Sequence, residues 1–157
     1  MIVDGLGQLG KALDYKGNTI IYHTWSLDKS EEVQKECYTK FVEFVNANPG
    51  EICFISTYSE KDDSYVKYKR LAEQYLLKRN RGYVIRLPTL VGKGICEKFK
   101  KGKVEPFGTM ELMTVEDAAI KISNFAECID NPSIIRLDGE KVSAYLVNYL
   151  IKFGWER

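Results

Sequence analysis

Histidine is nearly absent from this chain of 157 residues: there is one, His23, and no carboxylates cluster around it. A structural or catalytic metal site draws on several such ligands, so metal binding has no support. The four cysteines (Cys37, Cys53, Cys96, Cys128) are scattered, with no C-x-x-C and no paired histidine. Three of them fall within apolar patterns and read as small core residues, which suits a reducing, cytoplasmic setting. Excess charge is absent too. Lys+Arg number 23 and Asp+Glu 22, a formal net charge of +1, so nothing electrostatic points to nucleic acid or an acidic membrane. No apolar run approaches the length of a membrane span. No basic stretch accompanies Met1-Ile2-Val3-Asp4, so no signal peptide is expected. There is no internal repeat and no low-complexity tract. What remains is an ordinary globular composition, on a chain long enough for one domain with a proper core.

The pattern along the chain alternates between strands and helices. Met1–Val3 is a short apolar strand, and Gly5-Leu6-Gly7-Gln8-Leu9-Gly10 follows it at once. As a G-x-G-x-x-G after a strand, it would let a pyrophosphate approach backbone N–H groups at a helix N-terminus; a plain glycine turn is the competing reading. The helix after it, Gln8–Leu13, is barely two turns long. Thr19–His23 is a second strand. Asp28-x-x-Glu31 has the form of a capping box, ahead of a helix over Ser30–Asn48 with Val33, Cys37, Phe41, Phe44 and Val45 on one face. Glu51–Ser56 is a central strand, Tyr65–Asn80 a helix with Tyr68, Leu71, Ala72, Tyr75 and Leu76 on its apolar face, and Tyr83–Leu87 a further strand ended by Pro88. Thr114 caps a helix with Val115, Ala118, Ala119, Ile122, Phe125, Ala126 and Ile129 on its buried side. Ser133–Leu137 is a late strand, Asp138-Gly139 a turn, and Ser143 caps a final helix. This alternation predicts an α/β protein whose sheet is mainly parallel, in a single domain over 1–157 with a reduced substrate-side loop at about 89–112.

The stretch Ser56 to Lys69 is the most plausible seat of chemistry. It runs from a strand end with two hydroxyls, Ser56 and Thr57, into Tyr65-x-x-x-Lys69 on the first helical turns. Residues four apart share a helix face, and an ammonium beside a phenol lowers a pKa that starts near ~10. The motif alone is weak. Ten tyrosines and 17 lysines among 157 residues make about one Tyr-x-x-x-Lys by chance, and an amphipathic helix with exposed lysines explains it equally well. Location adds weight: Gly5–Gly10, His23, Ser56, Thr57 and Pro88 all fall at the carboxyl ends of strands, where open parallel sheets bind ligands. By itself, His23 reads as fixing a strand-end turn through a backbone hydrogen bond. Lys98-Phe99-Lys100-Lys101-Gly102-Lys103 reads as a solvated loop, or else as a clamp on a diphosphate.

Several of these segments, in chain order, resemble the extended short-chain dehydrogenase/reductase family, in particular its nucleotide-sugar epimerases, dehydratases and reductases. Met1–Gly10 resembles that family's first strand and glycine loop, and Ile20–Trp25 a strand whose end carries a histidine. Phe54–Thr57 resembles the strand bearing the catalytic Ser or Thr. Tyr65 and Lys69 resemble the catalytic pair before Leu71-Ala72-Glu73. Ile85–Gly94 resembles the Arg-Pro…Gly-x-Gly strand and loop, and Met113–Ala119 the late segment returning to the dinucleotide-binding domain. The resemblance implies a shortened Rossmann-like parallel sheet flanked by helices. It implies Ser56, Thr57, Tyr65 and Lys69 as catalytic residues, and Gly5, Gly7, Gln8, Leu9, Gly10, His23, Lys69 and Pro88 as cofactor-binding residues for NAD or NADP. The partner it implies is a small nucleotide-sugar substrate.

The family's second and third strands would lie between Gly10 and Thr19, and eight residues cannot hold them. The residue that reads the cofactor's adenosine ribose ends the missing second strand, so dinucleotide binding is expected to be weak or altered. Two functions follow. One is an NAD(P)-dependent oxidoreductase or epimerase acting on a sugar nucleotide, with Tyr65 as general acid/base. The other is a catalytically degenerate relative that binds a nucleotide, a sugar ligand or a partner protein without turnover. The bared edge at Met1–Val3 predicts a homo-oligomer, most simply a two-fold dimer.

Overall fold

The structure is a computed structural model that describes residues 2–4, 8–13, 17–90, 101–102, 108–126 and 133–153. Five parallel strands form the main sheet in the order β1-β2-β3-β4-β7: β1 (Ile2–Asp4), β2 (Ile20–His23), β3 (Ile52–Thr57), β4 (Gly82–Leu87) and β7 (Ile134–Arg136). β3 is central and buried on both faces, so its sequence Ile52-Cys53-Phe54-Ile55 is continuously apolar rather than alternating.

The pleat divides the core in two. Ile52 and Phe54 face Phe41 and Val45 of α2 (Glu31–Ala47) and Ala72 and Leu76 of α3 (Ser64–Lys78). Cys53 and Ile55 face Leu9 of α1 (Gln8–Ala12), Leu13, and Ala118, Ala119 and Ile122 of α4 (Val115–Ala126). The short first helix therefore covers its share of the sheet only together with α4, against which it packs.

Two local expectations need correction. Ser30, not Asp28, is the N-cap of α2, with Ser30 Oγ accepting from Val33 N; Asp28 Oδ1 instead accepts from Ser30 N at 3.0 Å. Ser143 does stand directly ahead of the final helix, but it also ends a strand over residues 140–143 that was not expected. β8 (Glu140–Ser143) runs antiparallel to β6 (Thr109–Met113), which also pairs in parallel with β5 (Thr89–Leu90). This second, three-stranded sheet is built from the segment around the expected substrate-side loop, and α5 (Ala144–Phe153) follows it. Thr114 caps α4 as expected, Oγ1 accepting from Asp117 N at 3.1 Å. Among the described residues, no helix is long and apolar enough to cross a membrane.

Candidate functional site

α3 starts where Asp63 accepts a hydrogen bond from Val66 N at 2.9 Å, satisfying one of the helix's free donors. Its buried residues are Val66, Tyr68, Lys69, Ala72, Glu73 and Leu76. Tyr68, Ala72 and Leu76 are buried as the apolar pattern predicts, whereas Leu71 is exposed. Lys69 and Glu73 share the buried side, Lys69 bonding the Ile55 carbonyl among aromatic rings and Glu73 meeting the Ser56 hydroxyl and two guanidiniums.

Lys69 is 3% exposed, and its Nζ donates to Ile55 O at 2.9 Å. Three rings close around that nitrogen, with centroids at 4.7 Å for Trp25, 4.8 Å for Phe54 and 5.8 Å for Tyr65. Ring faces attract a cation and offset part of the desolvation cost. Burial still dominates and pushes the Lys69 amine down to about 7, although the Glu73 carboxylate works in the opposite direction.

The sign of the Tyr65 shift is opposite to the one expected from its spacing to Lys69. Burial, with Asp63 adding to it, pushes the phenol up to about 12. The cause is physical: an amine with its own pKa near neutrality carries a full charge only below that value, and Lys69 directs its nitrogen to a backbone carbonyl. His23, at the end of β2, belongs to the same neighbourhood. Burial first, and Lys69 second, push it down to about 3. Its Nδ1 is fully buried with no hydrogen-bond partner among the described residues, so the strand-end backbone bond anticipated for His23 is not made through that atom.

Ser56 and Thr57 are adjacent in β3 and so point to opposite faces. Ser56 is buried and donates to Glu73 Oε2 at 2.6 Å. That carboxylate also accepts from Arg70 Nη1 at 2.7 Å and from Arg86 Nη2 at 2.6 Å. Arg86 sits on β4 in register with Ser56. Arg70 reaches on to Thr57 O at 2.8 Å and Ser59 O at 2.7 Å, tying the loop after β3 to the helix. Thr57 Oγ1 accepts from Ser59 N at 3.2 Å, which leaves its hydroxyl hydrogen able to donate.

The structure thus brings Tyr65, Lys69 and His23 together with Trp25, and commits the Ser56 hydroxyl to an ionic network. Sequence reasoning missed that network. The available signal was Arg70-x-x-Glu73, three apart on the same helix, with an arginine near the end of the next strand. Pro88 is buried directly after β4. Leu9 is fully buried as a core residue, and Gln8 and Gly10 belong to α1. Gly5, Gly7 and most of the lysine-rich 98–103 stretch lie outside the described residues, as do Cys96 and Cys128. No group of His, Cys, Asp and Glu among the described residues is arranged to hold a metal. A cavity of about 370 Å³ lies elsewhere, beside β6 and β8, and none of Ser56, Thr57, Tyr65, Lys69 or His23 lines it.

No family model matches the chain, and no curated protein matches it in sequence. Solved structures do. The UDP-N-acetylglucosamine 4-epimerase of Bacillus cereus superposes with a TM-score of 0.67 at 14% identity, over 97% of this chain and 80% of that one. The dTDP-4-dehydrorhamnose reductase of Clostridium acetobutylicum gives 0.69 at 16% identity, over 96% and 78%. The UDP-glucose 4-epimerase of Thermus thermophilus, solved as a complex with NAD, gives 0.62 at 14% identity, over 85% and 60%. This chain spans 60% to 80% of the length of these three proteins. The chain has the fold of nucleotide-sugar epimerases, dehydratases and reductases, and at the level of fold the resemblance read from the sequence is borne out.

Proposed function

We propose that this chain, a Rossmann-like relative of the extended short-chain dehydrogenases/reductases, binds a nucleotide sugar at the carboxyl ends of its parallel strands without proton transfer through Tyr65. The observation that carries this reading is that two of the three groups expected to assist Tyr65 are engaged elsewhere: Lys69 Nζ donates to Ile55 O, and Ser56 Oγ to Glu73. A phenol pushed up to about 12 stays protonated at neutral pH. Proton transfer is most efficient when the catalytic pKa lies near the working pH. The ligand class is supported by the kinds of protein that share the fold and by the strand-end position of the Lys69 and His23 neighbourhood.

The residues present do not fit a complete dinucleotide. The Lys69 amine is enclosed and bonded to a carbonyl, and no described strand lies beyond β1 to hold an adenosine ribose. Each lost hydrogen bond to a charged or buried group costs about 1–3 kcal/mol, so NAD or NADP binds weakly under this reading.

A second reading keeps the chemistry: an NAD(P)-dependent oxidoreductase or epimerase acting on a sugar nucleotide, with Tyr65 as general acid/base, Lys69 lowering its pKa and Ser56 or Thr57 holding the substrate oxygen. Favouring it are the 5.8 Å between Lys69 Nζ and the Tyr65 ring and the uncommitted hydroxyl hydrogen of Thr57.

Calorimetry with UDP-glucose, NAD and NADPH, paired with assays for epimerisation and hydride transfer, separates the two. The expected result is saturable UDP-glucose binding that survives Tyr65→Phe, with no turnover. Turnover abolished by Tyr65→Phe would establish the second reading, submicromolar NAD binding would overturn the half-cradle argument, and no nucleotide-sugar binding would overturn both.

A further inference from the structure

The cavity of about 370 Å³ beside the second sheet is separate from the Tyr65 neighbourhood, and its lining has a chemistry of its own. The β6–β8 register pairs Leu112 with Glu140 and Met110 with Val142, which places Leu112, Glu140 and Val142 on one face. Leu146 and Val147 of α5 also line the cavity, as do Asp117 and Lys121, four apart on α4. The floor is apolar and buried at Leu112, Met113 and Val147, while Leu146 is left 48% exposed at the mouth.

The rim is acidic. Of the charged lining residues, Asp117, Asp138 and Glu140 are acidic and Lys121 alone is basic. Asp138 has a long ion pair with Arg136 at 3.7 Å, and no ion pair engages Asp117 or Glu140 among the described residues. The turn that carries Asp138 and Glu140 is held in place. Gly139 N donates to Glu111 Oε2 at 3.1 Å, and a side chain at Gly139 would collide with the Leu112 backbone.

We infer that this cavity is a second ligand site, independent of the proposed function above, and that it takes an amphipathic cation: a protonated amine on an apolar stem. Its volume is in the range of small-molecule sites, roughly 300–1,000 Å³. The three carboxylates disfavour an anion. A neutral apolar ligand would shield them from water with nothing in return. An amine at the rim with its stem on Leu112, Val142 and Val147 meets both demands.

The test uses n-hexylamine as the probe, with n-hexanol and n-hexanoate as controls, followed by methyl NMR at neutral pH and low salt. Hexylamine is expected to give saturable shifts confined to Leu112, Val142, Leu146 and Val147. Hexanol should bind up to about fivefold more weakly, the upper end for one exposed ion pair, and hexanoate should leave these methyls unmoved. Asp117→Asn with Glu140→Gln, both exposed positions, should weaken hexylamine by at least about that factor without altering hexanol. A blocked Leu-Lys-Leu peptide, run in parallel, distinguishes a free amine from a lysine side chain as the source of the cation. Equal binding of hexanoate, shifts that never saturate, or an unaffected double variant would overturn the inference.

Discussion

Replacing Glu73 with methionine removes the one carboxylate that three donors share: Ser56 at 2.6 Å, Arg70 at 2.7 Å and Arg86 at 2.6 Å. Glu73 is 1% exposed, and the two arginine side chains are 24% and 27% exposed. Breaking a buried pair from one side costs about 3–5 kcal/mol, mostly because the other charge is left uncompensated. Water reaches part of both guanidiniums, and Arg70 keeps Thr57 O and Ser59 O as acceptors, so the low end applies, about 3 kcal/mol. For a chain of this length that is about 6–12 °C in Tm. Urea and thermal unfolding read it directly. The double variant Glu73→Met/Arg86→Met is the sharper arm. It removes one stranded guanidinium along with the carboxylate, so it is expected to be less destabilised than Glu73→Met plus Arg86→Met taken separately. A single variant within about 0.5 kcal/mol of the parent, or strict additivity of the two, would refute the claim that this network holds α3 to β3 and β4.

Three further outcomes are expected. The Lys69 amine is lowered from 10.5 to about 7 in the folded chain, so between those values the unfolded state binds more protons and stability rises with pH. The urea midpoint of the parent should therefore climb from pH 7 to 8.5, below the range where the buried Cys53 thiol opposes it, while Lys69→Met should remove that slope; parallel curves would contradict it. A side chain at Gly82 would meet the Ile52 backbone across the β3–β4 register, so Gly82→Ala is expected to cost about 1–3 kcal/mol in urea unfolding, and a neutral result would show that the two strands separate easily. No described strand pairs with the outer side of β1, and a homodimer across that edge is expected; sedimentation at micromolar concentration checks it, and a persistent monomer rules it out.

Much of the main sheet was legible because its strands are short, apolar and separated by helices with clear faces. The capped starts of α3 and α4 and the apolar β3 need only local information. The second sheet was not legible. Thr109–Met113 and Glu140–Ser143 mix charges with apolar residues, and each becomes a strand only by pairing with a segment distant in sequence. The site divides in the same way. That Tyr65 and Lys69 come together follows from their spacing on a helix. The direction of their pKa shifts does not, because burial sets it, and around the Lys69 amine that burial comes partly from Trp25 and Phe54, which arrive from other elements. A proton-transfer motif and a strand-end fastening can use the same residue types. A lysine that bonds the Ile55 carbonyl and a serine that bonds a buried glutamate satisfy polar groups at the end of a central strand whether or not a substrate arrives. At this site, burial and hydrogen-bond satisfaction decide what the spacing of Tyr65 and Lys69 leaves open, and they weigh toward holding the fold.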